Sequence, residues 1–163
     1  MFIEEFVVTV TVNIERSYHF DVKTPADKVF ALLADVPKSA SYFPNVHKLV
    51  DLGDDKYRWE MREVGIAHIN LQTVYACKYV ADPDKGSVVW KPVKGEGNAL
   101  VSGSWKIADK PHATRLTLKI KGELSIPLPG LMQMLVGPVA ENAFEHMIET
   151  YIKNLTKKFG GAA

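Results

Sequence analysis

Several features are scarce in this chain of 163 residues, and each scarcity removes a class of protein. Cysteine occurs once, at Cys77, so no disulfide can form within the chain and nothing points to an oxidising compartment. A cytoplasmic setting is the expectation. Charge of one sign is scarce as well. Lys and Arg number 20 against 19 Asp and Glu, a formal net charge of +1, which lacks the basic excess that nucleic acid attracts. No nucleic-acid partner is expected. Nowhere do about 18 apolar residues follow one another, so no integral membrane association is expected. The opening residues, MFIEEFVVTVTV, carry Glu4 and Glu5 where a secretory leader would be basic, and their apolar positions alternate. They read as strand. Linkers, repeats and low-complexity tracts are missing too, so one domain over residues 1–163 is expected. With 47% hydrophobic residues, a chain of this length can bury a core without a metal or a cross-link.

What is present is alternation. From Phe6 to Val22 the even positions are mostly apolar and the odd ones mostly polar, which predicts a long strand with one buried face, residues 1–14 being its first part. Thr24-Pro25-Ala26-Asp27 reads as a helix start, with Thr24 as N-cap, Pro25 in the first helical position and Val29, Phe30, Leu32 and Leu33 as the apolar face. Pro37 and Pro44 bracket a second short helix carrying Ala40, Tyr42 and Phe43. Turn chemistry at residues 53–55, 82–86, 95–98 and 109–112 divides the next stretch into six strands: 46–52, 57–64, 66–80, 88–93, 100–108 and 114–126. With the first strand the antiparallel sheet has seven. Beyond Gly130 the period changes to 3.6, with Val136, Ala140, Phe144, Ile148, Tyr151 and Leu155 on one face and Glu141, Glu145, Glu149 and Lys153 on the other. A long C-terminal helix over 130–159 is predicted, stopped by Gly160 and Gly161.

The stretches TPADKVFALLADVPKSASYFPNV (24–46) and LPGLMQMLVGPVAENAFEHMIETYIKNLTKKF (128–159) resemble the START-like superfamily, which includes polyketide cyclases, lipid-transfer domains and the birch-pollen-allergen group. The resemblance runs from Tyr18 over nearly the rest of the chain. It implies an α+β helix-grip fold: a seven-stranded curved antiparallel sheet wrapped around the long C-terminal helix, with two short helices after strand 1. It also implies a cavity between sheet and helix that accepts an apolar ligand. The chain departs from the pollen-allergen branch between its second and third strands, where Gly53-Asp54-Asp55 stands in place of a glycine-rich loop. The phosphate-cradling role of that loop is therefore not carried over.

The residues assigned to the inward face fit such a cavity. They are Tyr57, Trp59 and Met61 on one strand, then Ile69, Leu71, Tyr75 and Tyr79 on the next. Trp90, Val101, Trp105, Leu118 and Ile120 follow on later strands, and the helix adds Met147 and Tyr151. Rings with a polar tip suit a mostly apolar pocket that orients one polar group. Met132, Met134 and Met147 can adapt to ligand shape, while Gly103, Ala140 and Ala143 leave room. Alternatively the same side chains meet and fill a dry core.

Acid–base chemistry needs ionisable groups converging on the pocket, and the five histidines do not converge. His19 has the outward register, His112 sits in a turn, His146 lies at the flank of the helix face, and His47 is ambiguous. His68 shares a face with Asn70 and Gln72, opposite Ile69, Leu71, Thr73 and Tyr75, so the triplet faces water unless a bulge near Gly65 turns it inward. If the chain is an enzyme, His68, Tyr75 and Tyr79 are its candidate groups. Cys77 has an inward register and reads as a small hydrophobe. His146 and Glu149 lack a third ligand, so no metal is expected, and Gly95-Glu96-Gly97 reads as a hairpin turn rather than a nucleotide loop, so no cofactor is expected. Tyr42, Phe43, Pro44, Leu128, Leu131 and Met132 would border the cavity mouth. The expected function is binding or transport of an apolar or amphipathic small molecule: a lipid, an isoprenoid or a polyketide-like aromatic. A polyketide cyclase/aromatase or dehydratase is the alternative, and a quinone-binding accessory factor a further one. Oligomeric state stays open.

Overall fold

The computed structural model describes residues 7–66, 69–129 and 133–163. In chain order the elements are β1 (Val7–Val22), α1 (Ala26–Ala34), α2 (Val36–Ala40), β2 (Val46–Gly53), β3 (Lys56–Met61), β4 (Val64–Ile66) and β5 (Ile69–Leu71). There follow β6 (Val74–Asp82), β7 (Ser87–Val93), β8 (Ala99–Lys110), β9 (Ala113–Pro129) and α3 (Gln133–Lys158). Alternation decides the faces. Along β1, Val10, Val12 and Ile14 are buried while Thr9, Thr11, Asn13 and Glu15 are exposed. β1 pairs antiparallel with β9 over its whole length, from Val7 opposite Pro129 to Val22 opposite Thr114. The seven-stranded sheet runs β1-β9-β8-β7-β6-β3-β2.

Sheet and helices share two apolar clusters. The larger joins α1, α2 and the C-terminal half of α3 (Ile148, Tyr151, Leu155) to the central strands. The smaller holds Val136 and Ala140 of α3 against Val10, Val12, Ile14, Ile126 and Leu128. This is the helix-grip architecture expected from the sequence. Its cause is the broad apolar stripe of α3, which can be buried only against the concave face of the sheet.

Three expectations are corrected. The strand expected over 66–80 is two elements: β5 pairs only with β4, as a separate two-stranded ribbon, and β6 alone joins the main sheet. The break falls at Gln72–Thr73, where side chains supplement a remaining main-chain bond from Met61 N–H to Thr73 O (2.9 Å). Gln72 Nε2 donates to the Met61 carbonyl (3.0 Å), and the Asn98 side chain accepts from Val74 N–H and donates to Gln72 O (2.9 Å each). Thr24 is not the cap of α1. Pro25 occupies the N-cap without a side-chain hydrogen bond, while the Thr24 carbonyl accepts from Thr114 Oγ1 (2.7 Å) and its N–H donates to Phe159 O (3.1 Å). Thr24 thus ties the chain to β9 and to the end of α3. Finally, α2 stops at Ala40, so Tyr42 and Phe43 lie in the turn after it, their N–H groups donating to Ser39 O and Ala40 O. Residues 1–6, 67–68 and 130–132, with His68, Leu131 and Met132, lie outside the described residues.

The Asn98 clamp depends on its neighbour. Gly97 has φ +117°, and a Cβ there would overlap the carbonyl oxygen of Val74, which accepts the Asn98 N–H. Gly97→Ala is expected to lower stability by about 2–4 kcal/mol, strain and overpacking combined. Gly95→Ala, also at positive φ but with nothing within 4 Å of the added carbon, is expected to cost only about 1 kcal/mol. Urea denaturation of both variants measures the difference, and equal losses would show that the Val74 contact yields freely.

Among the described residues no helix is long and apolar enough to cross a membrane.

Candidate functional site

Between the sheet and the helices lie two adjoining chambers. The inner one is aromatic. Trp59 of β3, Tyr75 and Tyr79 of β6, Trp90 of β7 and Trp105 of β8 face Tyr151 of α3, and Ser39 enters from α2. Alternation aims each strand residue inward, and α1 and α2 close the end of the chamber with Leu33 and Val36. Trp59 stacks on Tyr75 (centroids 5.8 Å apart, planes at 12°), and Tyr79 tilts against Trp90 at 6.0 Å. The polar tips are partly paired. Trp59 Nε1 donates to the Tyr79 hydroxyl (2.9 Å), and Ser39 Oγ is hydrogen-bonded to the Tyr151 hydroxyl.

Burial sets the chemistry of these phenols. It pushes Tyr75 and Tyr79 well above the ordinary tyrosine range and Tyr151 up to about 12, the Ser39 hydrogen bond pulling the last partly back. All three are neutral hydroxyls at physiological pH. Among the described residues no hydrogen bond relieves Tyr75, so its hydroxyl is available to a ligand. Cys77 is fully buried, its thiol pushed up to about 12 by burial and donating to the Val101 carbonyl (3.2 Å), which leaves it no thiolate character.

The outer chamber is mostly aliphatic, with Thr73 and Glu123 as its polar lining residues beside Tyr75. Val12 and Ile14 of β1, Met61 of β3, Val64 of β4 and Leu71 of β5 face Ala140, Ala143, Phe144 and Met147 of α3. The chambers share three residues as their common wall: Phe43, Tyr75 and Val101. Cavity volumes are about 50 Å³ inside and about 70 Å³ outside, room for a few waters each. A ligand of ordinary size therefore has to displace side chains.

Of the residues expected to face a ligand, Trp59, Tyr75, Tyr79, Trp90, Val101, Trp105, Leu118, Ile120 and Tyr151 line the inner chamber. Met61, Leu71 and Met147 line the outer one. Tyr57 lines neither. It sits at the start of β3, where α2 rather than α3 covers the sheet, and it faces an open groove with Pro37, Ala40 and Leu49. The side chain of Ile69 and all of His68 lie outside the described residues. Of the polar triplet's other members, Asn70 is exposed and Gln72 is committed to the Met61 carbonyl. His19 points outward beside Thr117 Oγ1 (3.1 Å), and His47, His112 and His146 are exposed. Among the described residues no group of three or more metal-ligating side chains occurs.

Sequence reasoning left Ser39, Val12 and Ile14 out of the site. The strand pair had the same inward parity as the residues chosen and was recoverable. Ser39 gave one weak signal, a hydroxyl three positions after Val36 in an otherwise apolar helical turn.

A sheet closed on a long helix over an aromatic cavity defines a class of small-molecule-binding domains. The sequence profile described as polyketide cyclase/dehydrase and lipid transport matches residues 7–160, and the chain belongs to that family. No curated protein matches it. Solved structures share the fold at low identity. A START superfamily protein from Mycobacterium smegmatis superposes with TM-score 0.62 at 13% identity, covering 91% of this chain and 97% of that one. The ginseng major latex-like protein 151 from Panax ginseng gives 0.58 at 13%, covering 91% and 98%. An aromatase/cyclase, ZhuI, from Streptomyces sp. R1128 gives 0.53 at 15%, covering 90% of each chain.

Proposed function

We propose that this protein binds and carries an amphipathic small molecule, seating a flat, weakly polar part in the inner chamber and an aliphatic part in the outer one. One observation carries this reading. The inner lining joins three indoles and three neutral phenols to Ser39, with no carboxylate, amine or imidazole among its described residues. Such a surface supplies hydrogen-bond donors and apolar contact, and it supplies no group that exchanges a proton near neutral pH. Burial of the ligand provides affinity at about 25 cal/mol per Å² of apolar surface, before ordering costs.

The cyclase reading has one observation in its favour: the unrelieved Tyr75 hydroxyl is a neutral donor able to polarise a carbonyl. The described inner lining holds no base to complete that chemistry, and the carboxylate of the two linings, Glu123, belongs to the outer chamber, where it is exposed on β9. Native mass spectrometry of the freshly purified protein separates the readings. The expected result is one retained apolar molecule per chain, or uptake of one from an offered set of lipids, quinones and aromatic polyketides, released unchanged on denaturation. Recovery of a cyclised or dehydrated product from an offered poly-β-ketone thioester would overturn the carrier reading. A bare-chain mass after every offer would overturn binding altogether.

A further inference from the structure

Phe43 occupies an unusual position. Its ring lines the inner chamber, the outer chamber and the open groove between α2 and β2. It lies 5.0 Å from the ring centre of Tyr151 and 5.7 Å, edge-on, from that of Trp59. We propose that Phe43 is a movable partition: a ligand longer than one chamber binds when this ring rotates into the groove and the two chambers become one elongated site. The proposal deepens the binding function proposed above and rests on it.

The wall between the chambers has three members, and only one is free to leave. Tyr75 is buried, stacked on Trp59 and held in a central strand, and Val101 is buried in β8. Phe43 is half-buried and lies in a turn outside any regular element. The main chain around it is fixed. Phe43 N–H donates to Ala40 O (3.0 Å), Asn154 Nδ2 to Tyr42 O (2.9 Å) and Arg62 N–H to Asn45 O (2.8 Å). Movement is therefore side-chain rotation, a change between staggered wells that leaves the turn in place. The destination suits a phenyl ring. The groove has a volume of about 360 Å³, and apolar Pro37, Ala40, Val46 and Leu49 line it together with Tyr57, Ser41 and Asp51. An apolar cavity of about 150 Å³ already holds a benzene ring.

The small size of each chamber gives the partition its consequence. With Phe43 in place, neither volume admits more than a small fragment. With it displaced, the hydroxyl-bearing aromatic chamber continues into the aliphatic one. The site then selects molecules with a planar ring system at one end and a hydrocarbon chain at the other. Either part alone gains little from the displacement, which costs the two ring contacts of Phe43.

Two fluorescent probes test this: 2-naphthol, a ring without a tail, and 11-(dansylamino)undecanoic acid, a ring with a long hydrocarbon chain. Phe43→Ala removes the partition, and Leu49→Trp fills the groove that receives it. Relative to the unaltered protein, Phe43→Ala is expected to bind the dansyl probe about tenfold more tightly, and Leu49→Trp about tenfold more weakly, the worth of one to two aromatic contacts. 2-Naphthol is itself larger than a closed chamber but does not reach both, so its affinity is expected to shift in the same directions by about threefold or less, well short of the dansyl probe. Equal shifts for the two probes, or no shift in either variant while the unaltered protein binds the dansyl probe one to one, would overturn the partition and leave the carrier function standing. Failure of all three proteins to bind either probe would overturn both. Should Phe43→Ala not fold, the Leu49→Trp result decides alone, and thermal unfolding of each variant identifies that case.

Discussion

Between pH 9 and pH 12 the protein is expected to lose stability steeply. Four acids in the core hold their protons more tightly folded than unfolded, all because burial disfavours the anion: Cys77 and Tyr151, each pushed up to about 12, and Tyr75 and Tyr79, pushed well above the ordinary value of 10.0. A raised folded-state pKa means that the stabilisation is complete below the unfolded value. It is lost as pH climbs from there to the folded value. For Cys77 that window opens near the ordinary 9.0 and for the phenols near 10.0. Once the unfolded chain is ionised at all four, stability falls by about 5 kcal/mol per pH unit, at about 1.4 kcal/mol for each group. By pH 12 the accumulated loss is on the order of 10 kcal/mol, comparable with the total of about 5–15 kcal/mol typical of a domain, so the unfolding transition is expected to begin within this window. Three of the six tyrosines line the pocket, so about half of the phenolate absorbance change at 295 nm should appear together with the loss of far-UV circular dichroism. Ionisation of all six with the dichroism intact would refute the buried, neutral-hydroxyl description of the pocket. Cys77→Ala should move the onset upward, to where the tyrosines begin.

Trp105→Ala is expected to cost about 3–5 kcal/mol, the range for removing a large buried aromatic. Trp105 is 2% exposed and sits in β8 opposite Val88 and Leu118. Its ring meets Phe20 edge-on at 6.0 Å and Tyr151 at 6.0 Å. Its loss would join a void to the inner chamber, because the flanking strands are pinned by their ladders and cannot close the gap. Urea denaturation measures the loss. Added indole should restore part of it by binding the void, with the midpoint rising logarithmically in indole concentration. A cost below about 1.5 kcal/mol would show that the inner wall relaxes, against the packing described here.

Much of this architecture could be read from alternation, and the places where it could not are instructive. Parity put Val10, Val12 and Ile14 on the face that β9 matches with Ile126 and Leu128, and all five are buried. Parity tells which face a residue takes, and nothing about where along the strand the cavity lies. Tyr57 shares its parity with Trp59 yet faces the groove under α2. The break at Gln72–Thr73 was invisible for a related reason. Leu71, Thr73 and Tyr75 keep the same inward face through it, so the pattern continues while part of the hydrogen bonding passes to Gln72 and Asn98. Ser39 meets Tyr151 across 112 positions of sequence, and no local period reports such a meeting.

The pairing of β1 with β9 has a kinetic consequence. His19 lies beside Thr117, 98 positions further along the chain, and this separation recurs, larger still towards the start of β1, all along the longest ladder of the sheet. Loop closure over such distances is entropically costly, and sheets dominated by distant pairings fold in milliseconds to seconds. During synthesis β1 leaves the ribosome with Val10, Val12 and Ile14 ready for burial, and its partner follows only after about a hundred more residues, roughly 5–20 s later at ordinary elongation rates. Of the described strands β1 is made earliest and paired almost last, and α3, which closes the cavity, comes later still. Throughout that interval the apolar face of β1 is open to wrong partners, and a nascent chain of this fold should depend on holding chaperones more than its final stability suggests.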